Sequence, residues 1–479
     1  MSHDELSHDD LTPALDQPAG RYKAELSRSL SVRENVLITL SAVTPASSLF
    51  VIAPAVINGI GGAAVLSYTI AAVIGIAVAL CYAELSSAYP ITGGEYTFVA
   101  RTLGRPAGFA LFVQTLVSAV LITAILAEGA GTYLAVLWPH LNGKAVGIII
   151  IIIAATIAAC FSIRLNAFVT GVVLLLEVVA LTVVAVLGFL HVSQPISTLW
   201  TATTVDGGSV LVAASAGLVV SYIATALFAY NGYGTAVCFA EETRQASRTI
   251  GRAILWSLAI TVLSQLIPLI AVVLGSPNMT EMVGSDDPLT YFLQSRGGTA
   301  VNDLVSLGIA IAIINAVLAG TLQQARKVYS SARDRSWPDI INSPLARVHP
   351  GLKTPVAATL AFGVLSAAVL AAFPFNVLLV VTGASLLITY AFVALSALAG
   401  RINGSTRRAV FRMPLWPWIP LAMLAATLLI TYQNLVNDWV PVAVTVAIAV
   451  IGLPYYYLYI RRRGDRWTLP DPVDDSESA

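Results

Sequence analysis

The sequence predicts an all-α integral membrane protein with twelve transmembrane helices. Hydrophobic residues make up 57% of the 479-residue chain and charged residues only 11%, whereas a soluble globular chain has about 25% charged residues. The apolar residues form separate windows of about 20 residues or more, the length that crosses a bilayer at 1.5 Å per residue. The basic residues are unevenly divided between the two ends of these windows, as the positive-inside rule requires of a multi-pass protein.

Twelve windows satisfy the length criterion. They cover residues 35–58, 64–89, 106–137, 145–163, 167–190, 210–239, 252–275, 300–325, 355–374, 376–400, 415–433 and 438–460. All but two of the 26 Lys and Arg residues fall on one side of the predicted membrane, the exceptions being Lys144 and Arg296. Because cytoplasmic loops carry the excess of positive charge, both termini are predicted to be cytoplasmic, in the plasma or inner membrane of the cell.

The composition argues against several classes of function. The net charge is zero, which is not expected of a nucleic-acid-binding protein. Cys81, Cys160 and Cys238 lie in apolar stretches without CxxC spacing, so we expect packed thiols and no disulfide framework. No histidine lies at metal-ligand spacing from a cysteine or carboxylate. Without a nucleophile–base pair or a metal cluster, the sequence predicts neither an enzyme nor a cofactor.

Residues 217–242, which overlap the sixth window, contain a stretch that is poorly suited to a helix interior. It reads Tyr230-Asn231-Gly232-Tyr233-Gly234, and glycine gains backbone freedom when a helical turn opens. In lipid, an opened turn is tolerated only where it is buried in protein or lines a polar cavity. One interpretation is therefore a broken helix whose free backbone groups face a ligand. The other is an intact helix with glycines at a close helix crossing.

The first window carries a second candidate break, at Thr44-Pro45. Pro45 removes a backbone donor in the middle of the span and clashes with the preceding turn, while hydroxyls at Thr44, Ser47 and Ser48 can satisfy the freed groups. An ordinary proline kink explains the same residues. The two candidate breaks lie five spans apart, which is the hydropathy pattern of an inverted repeat of five helices plus five.

Three polar side chains within the predicted spans are candidates for ion coupling. Glu177 lies in the middle of the fifth span and Glu128 in the outer half of the third, and carboxylates inside spans are functional candidates by default. We interpret Glu177 as the better proton relay, and Glu128 as either a relay or a residue of a hydrated vestibule. Asn315 either faces an ion or substrate cavity or bonds a neighbouring helix.

Four stretches of the sequence carry distinctive combinations of charged, aromatic, glycine and proline residues. Residues 82–96 contain Ala83-Glu84-Leu85, Pro90 and Gly93-Gly94-Glu95-Tyr96, residues 226–232 read ALFAYNG, and residues 241–250 read EETRQASRTI. Residues 326–338 read RKVYSSARDRSWP and are followed by His349-Pro350 and Thr354-Pro355. Together they resemble the amino acid–polyamine–organocation (APC) superfamily of permeases, over about residues 34–362.

This resemblance implies a LeuT-type fold, in which a 5+5 inverted repeat is followed by two C-terminal helices and helices 1 and 6 are discontinuous. The expected segments are a cytoplasmic tail (1–33), the first five-helix repeat (34–191), the second, inverted repeat (210–400), helices 11 and 12 (414–461) and a cytoplasmic tail (462–479).

The resemblance also implies a substrate site between the two breaks. The α-carboxylate is expected at the backbone N–H groups of Ser47, Ser48 and Leu49, with part carried by Ala46, because Ser-Ser-Leu stands where the family usually has Gly-Ser-Gly. The amine is expected at carbonyls of helix 6, with Phe228 as an aromatic lid. The full predicted set is Thr44, Ala46, Ser47, Ser48, Leu49, Phe228, Ala229, Tyr230, Asn231 and Gly232. An acidic residue that some cation transporters carry corresponds to Gly234 here, which argues against a dication or arginine as substrate.

Arg164 is the last candidate that the resemblance brings forward. Several members of the superfamily have a lysine near the cytoplasmic start of helix 5 whose ammonium occupies a sodium site. One hypothesis is that the Arg164 guanidinium stands in for sodium; because arginine stays protonated, it would not carry the proton. The alternative is plain positive-inside charge.

The sequence therefore predicts a secondary active transporter that moves a neutral or small amino acid by alternating access, with proton coupling or exchange. The expected partners are the amino acid, the lipid bilayer and, as a candidate coupling ion, protons; the sequence does not distinguish a monomer from a homodimer. A polyamine or organic-cation permease is the main alternative, and it requires a further site carboxylate, for which Glu128 and Glu177 are available. A membrane sensor on a transporter fold is the other alternative.

Overall fold

The computed structural model describes residues 30–90, 94–160, 164–206, 210–349, 352, 354–463 and 467. Within these residues the secondary structure is almost entirely helical. The strands found there are β1, Thr203–Asp206, and β2, Val210–Ala213, which pair as an antiparallel hairpin.

The helices of the first half of the chain follow one another with short connections. They are α1 Val32–Val43, α2 Pro45–Ile60, α3 Ala64–Ala88, α4 Glu95–Thr102, α5 Arg105–Leu137, α6 Gly143–Cys160 and α7 Arg164–Leu190. The second half continues as α8 Ala216–Tyr230, a 3₁₀ segment Tyr233–Glu242, α9 Ala246–Gly275, α10 Met279–Gly284, α11 Pro288–Arg333, α12 Asp339–Leu345, α13 Val356–Ala372, α14 Phe375–Ile402, α15 Trp418–Asn437 and α16 Trp439–Tyr455.

The lengths and compositions of these helices confirm an all-α membrane protein. Eight helical stretches of the described chain are long and apolar enough to cross a bilayer, and three shorter apolar helices accompany them, Gly143–Ala159, Ala216–Tyr230 and Val356–Ala372. Each of the twelve predicted windows overlaps a described helix or helix pair. The count of twelve crossings and the inverted repeat stay predictions.

The start of the sixth window was predicted wrongly. Residues 210–213 are apolar but form strand β2 against β1, and the helix begins only at Ala216, where the Ser215 hydroxyl accepts the Leu218 N–H at 3.1 Å. A hydropathy window does not separate a β-branched strand from the helix that follows it. The eighth window also differs, because α11 extends from Pro288 to Arg333 with an interruption at Gly298, whose φ is 74°.

The helices enclose one large apolar core. α3 packs against α9, α5 packs against both α6 and α11, and α2 packs against α8, and buried side chains of these helices form a single cluster. The outward faces carry large apolar side chains such as Val73, Leu175 and Leu304, which are 64%, 63% and 72% exposed. Such a surface is expected of a protein whose surroundings are hydrocarbon.

A buried ion pair joins the end of α3 to the end of α14. Arg401 Nε and Nη2 donate to the two carboxylate oxygens of Glu84, each at 2.6 Å. Glu84 also accepts the backbone N–H of Met413 at 2.9 Å, and the Arg401 guanidinium lies over the Trp416 ring at 5.5 Å. Glu84 belongs to the Ala-Glu-Leu motif, so the structure gives this motif a role in holding distant helices together.

Trp467 packs into an aromatic cluster beside the first turns of α5. Its ring makes an edge contact with Phe109 at 5.3 Å between centroids and a tilted contact with Tyr96 at 6.1 Å, and it is only 2% exposed. Arg105 lies over the same ring and donates to the Trp467 carbonyl. The segment predicted as the C-terminal tail therefore includes at least one residue that packs on the helices.

Candidate functional site

The first helix is interrupted at a single residue, Thr44. Its φ and ψ are 46° and 71°, the left-handed region, which a β-branched residue rarely adopts. Pro45 begins α2, a position where the lack of an N–H costs nothing because the first-turn amides have no intrahelical partner. The Ser48 hydroxyl donates to the Val43 carbonyl at 3.0 Å. The predicted break is thus present, and a side chain satisfies one of the freed backbone groups.

Glu177 reaches the head of α2 from α7. The Ala46 N–H donates to Glu177 Oε2 at 3.0 Å, and the Glu177 side chain is 1% exposed. A carboxylate at a helix N-terminus is favoured by the unpaired amides and by the helix dipole. The candidate proton relay is therefore bonded directly to the broken helix.

This geometry corrects the prediction of which amides are open to a ligand. The Ser48 N–H donates to the Thr44 carbonyl at 2.9 Å, and Leu49 lies past the first turn of α2, where amides bond within the helix. The first-turn amides without an intrahelical partner are those of Ala46 and Ser47, since Pro45 has none. Glu177 accepts from both of these amides, from that of Ala46 at 3.0 Å, and the buried Ser47 hydroxyl has no hydrogen-bond partner.

The sixth helix opens at Asn231 and Gly232. Asn231 is extended, with ψ at 152°, and Gly232 has a φ of 119°, which favours glycine. A Cβ on Gly232 would lie 2.9 Å from Cγ2 of Val43, so the two breaks touch each other. The chain resumes as the 3₁₀ segment at Tyr233. The predicted break is present at the predicted residues.

Two of the predicted helix-6 residues are engaged with protein. The Ala229 carbonyl accepts from Gln265 Nε2 of α9 at 2.8 Å. Tyr230 is fully buried and its ring makes an edge contact with Tyr68, with centroids 5.4 Å apart. The Ala229 carbonyl thus holds the opened helix against α9, and the Tyr230 ring holds it against α3.

A cavity of about 100 Å³ lies between the two breaks. Five of the predicted substrate residues line it: Thr44, Ser48, Phe228, Asn231 and Gly232. The rest of its wall comes from α1, α2, α5, the 3₁₀ segment and α11, namely Ala42, Val43, Ile52, Ala119, Ile122, Thr123, Leu126, Thr235, Ala316, Gly320, Gln323 and Gln324. We call it the central cavity. The other five predicted residues, Ala46, Ser47, Leu49, Ala229 and Tyr230, are not among its lining residues.

Sequence reasoning missed the amide side chains of this cavity. Gln323 and Gln324 lie one turn beyond Gly320 on α11, on the same wall. Two adjacent glutamines within an apolar helix are costly to bury without a partner, and that signal was available in the sequence. Asn315, the predicted residue of this helix, is 7% exposed and adjoins the lining residue Ala316.

A second chamber of about 90 Å³ adjoins the central cavity and shares Asn231, Gly232 and Gln324 with it. Glu95 at the start of α4 and Lys327 of α11 line this chamber, together with Tyr82 and Tyr390. Tyr82 donates to Glu95 Oε1 at 2.9 Å. We call it the adjoining chamber. Glu95 is a residue that sequence reasoning quoted in a motif but did not place at the site.

Glu95 also overturns part of the argument about substrate charge. A Cβ on Gly234 would lie 3.7 Å from Glu95 Oε1. The carboxylate that Gly234 cannot supply from helix 6 is thus supplied beside it from α4. The absence of an acidic residue at Gly234 therefore does not leave the site without a carboxylate.

Glu128 and Asn315 are not among the residues that line either cavity. Glu128 on α5 is half-buried and its Oε2 has no hydrogen-bond partner. The side chain of Arg164 lies outside the part of the chain that the structure describes, so its proposed bridge to helices 1 and 8 remains a prediction. Among the described residues, no group of three His, Cys, Asp or Glu side chains could hold a metal ion.

A larger groove of about 480 Å³ lies on the outer surface between α7 and α9. Its wall is apolar, including Val178, Phe189 and Leu263, which are 51%, 48% and 57% exposed. These exposures match those of the surface that faces hydrocarbon, so we assign the groove to lipid.

Two interrupted membrane helices that open onto one buried polar cavity define the class of helical membrane transporters. The amino acid permease family profile matches residues 30–458, and the chain therefore belongs to the amino acid permease family, within the APC superfamily. It is a multi-pass membrane protein and a transporter.

Relatives with assigned names cover most of this chain. It is 24% identical to the branched-chain amino acid permease BcaP of Bacillus subtilis and 22% identical to the methylthioribose transporter of the same organism, each over 91% of this chain and 94% of the relative. It is 27% identical to the human cationic amino acid transporter 4, over 80% of this chain and 61% of that protein.

Proposed function

We propose that this permease is a secondary active transporter that moves a neutral or small amino acid across the plasma or inner membrane by alternating access. Coupling to protons or exchange supplies the driving force. The observation that carries the proposal is the contact between the two breaks: Gly232 touches Val43, and both line the central cavity. A ligand bound there contacts both broken helices at once.

The polar groups of the central cavity suit the two ends of an amino acid. The hydroxyl of Thr44 and the amides of Gln323 and Gln324 can donate to a carboxylate. The same amides, with the opened backbone at Asn231, can accept from an ammonium group. Two of these acceptors lie within an apolar span, where unpaired polar groups are costly, so a zwitterion that pairs with them is favoured.

Contacts between the halves of helices 1 and 6 support movement as one unit. Asn35 Nδ2 donates to Thr243 Oγ1 at 3.0 Å and to the Ala236 carbonyl at 3.4 Å, which joins α1 to the 3₁₀ segment. Since the two helices are interrupted at Thr44 and Gly232, we propose that α1 and the 3₁₀ segment rock together to open the cavity to one side.

A polyamine or organic-cation permease is the second candidate, and Glu95 favours it. A carboxylate beside Gly234 can accept a second ammonium group, and a relative is named as a cationic amino acid transporter. A membrane sensor on a transporter fold is the third, and it predicts binding without transport.

The test is uptake into proteoliposomes of purified protein. Radiolabelled alanine, leucine, lysine and putrescine are compared with and without an imposed pH gradient. Saturable uptake of alanine or leucine supports the proposal, uptake restricted to putrescine or lysine supports the second candidate, and binding without uptake supports the third.

Two glycine variants control the experiment. Gly232→Ala forces a side chain into a φ of 119° and places its Cβ 2.9 Å from Val43, a strain of roughly 1–3 kcal/mol. It is expected to lower uptake at least tenfold. Gly308→Ala, where a Cβ meets nothing within 4 Å, is expected to transport like wild type. Equal uptake by both variants would contradict the role of the helix-6 break.

A further inference from the structure

We propose that the adjoining chamber is a second binding site for a zwitterionic amino acid, in which Glu95 takes the ammonium group and Lys327 takes the carboxylate. The proposal rests on the proposed function, because it places this site on the route between the central cavity and the predicted cytoplasmic side. The chamber shares Asn231, Gly232 and Gln324 with the central cavity, so the two spaces lie against the same helix-6 break.

The carboxylate of Glu95 is fixed in place. Glu95 is the first residue of α4 and follows Gly94, whose φ is 72°. Tyr82 donates to its Oε1 at 2.9 Å, and the same oxygen lies beside Gly234, 3.7 Å from the position that a Cβ would take there. A carboxylate accepts several hydrogen bonds, so acceptor capacity remains for an ammonium group in the chamber.

The cation of Lys327 comes from the opposite wall. Lys327 lies on α11, one turn beyond Gln323 and Gln324 on the same helical face, and it is half-buried. Glu95 and Lys327 both line the chamber, yet among the described residues no ion pair within 4.0 Å joins them. Opposite charges held apart across a small cavity produce a field that favours a ligand with matching charges.

The pair selects a class of ligand. A zwitterion satisfies both charges, whereas a dication is repelled by Lys327 and a dianion by Glu95. The Gln324 Oε1, buried without a partner, and the hydroxyls of Thr389 and Tyr390 on the wall supply further polar contacts. An amino acid amide keeps the ammonium group and loses the carboxylate, so it is a sharp probe of Lys327.

The experiment measures the two sides of the membrane separately. Proteoliposomes of uniform orientation are loaded with the amino acid that the uptake panel identifies, and the half-saturating concentrations for efflux and for uptake are determined. For Glu95→Gln and Lys327→Gln we expect the half-saturating concentration on the chamber side to rise at least tenfold. The half-saturating concentration on the other side is expected to change by less than about threefold. Lys327→Arg keeps the charge and is expected to remain within about threefold.

The matched control is Arg326→Gln, which removes the neighbouring exposed cation of the same helix and is expected to leave both values unchanged. Competition on the chamber side by the corresponding amino acid amide is measured in parallel. Wild type is expected to prefer the zwitterion at least tenfold over the amide, and Lys327→Gln to lose this preference. Thermal unfolding of each variant separates a folding defect from a binding defect.

Three results would overturn the proposal that the adjoining chamber is a second binding site, while leaving the proposed function intact. These are unchanged chamber-side values in correctly folded variants, equal rises on both sides, and loss of pH dependence in Glu95→Gln with unchanged affinity, which would make Glu95 a proton carrier. Wild-type protein that takes up neither alanine nor leucine would overturn the proposed function itself.

Discussion

Replacing Glu177 tests whether the buried carboxylate at the head of α2 couples transport to protons. The carboxylate accepts the Ala46 N–H at 3.0 Å and is 1% exposed. Glu177 is therefore a titratable group that is hydrogen-bonded directly to α2, just after the break at Thr44. If transport is proton-coupled, a change in its protonation alters the interaction that holds α2 against α7.

The magnitudes follow from what each substitution leaves behind. Glu177→Gln keeps an oxygen that accepts from Ala46 and removes the charge, so the loss is the difference between a charge-assisted and a neutral hydrogen bond, about 1 kcal/mol. Glu177→Leu removes the acceptor and leaves a buried amide unpaired, which costs about 1–3 kcal/mol. We therefore expect a small stability change for the first variant and a larger one for the second.

The assay compares two modes of transport in the same proteoliposomes. We expect Glu177→Gln to retain exchange at equal pH within about threefold of wild type, because the hydrogen bond to Ala46 survives. Accumulation driven by a pH gradient is expected to be lost, since glutamine does not titrate. Glu177→Leu is expected to lose both. Glu128→Gln is the matched control, because Glu128 is a half-buried carboxylate within a span, and it is expected to keep pH-driven accumulation.

Two outcomes would refute this reasoning. If Glu177→Gln accumulates substrate with the wild-type dependence on pH, the carboxylate is a structural anchor for α2 and not a relay. If Glu128→Gln alone loses the response to the gradient, the coupling group is Glu128.

Three further predictions concern residues that hold the fold. Glu84→Gln leaves the guanidinium of Arg401 buried without its charged partner, so we expect a loss of about 3–5 kcal/mol, partly recovered in Glu84→Gln/Arg401→Met and measured by thermal unfolding in detergent. Burial raises the pKa of Asp334, which follows α11, to about 6. The folded protein therefore binds a proton at Asp334 more tightly than the unfolded chain does. The free energy of unfolding should fall by roughly 3 kcal/mol as pH rises from about 4 to about 6. Asp334→Asn should lack this part of the pH dependence of stability, and the same pH dependence in the variant and in wild type would contradict the prediction. Trp467→Ala removes the ring that packs on Phe109 and is expected to cost about 3–5 kcal/mol, with Trp467→Phe closer to wild type; unchanged melting of Trp467→Ala would show that the packing contributes nothing.

The sequence was sufficient for the features that arise within one short segment. Pro45 and Gly232 each act through backbone chemistry that is local to their own turn, and both breaks lie where these residues predict them. The apolar windows are similarly local, and each overlaps a helix. The strand at 210–213 was missed because it is set by its pairing with residues 203–206, which hydropathy does not register.

The features that the sequence did not predict depend on contacts between segments that are far apart in the chain. The amide of Ala46 is engaged by a carboxylate 131 positions away, and the bond from Arg401 to Glu84 joins residues 317 positions apart. Glu95 fills the space beside Gly234 from another helix. A single sequence carries no information on such pairs, so Gly234 was interpreted as a missing carboxylate when the structure supplies one from α4.

The central claim is that the two breaks jointly hold the substrate, and a cryo-electron microscopy structure in a saturating concentration of the transported amino acid tests it most directly. The account predicts density for the amino acid between Thr44–Ser48 and Phe228–Gly232, in contact with both broken helices. Density confined to another part of the protein, with the space between Val43 and Gly232 unoccupied, would contradict it.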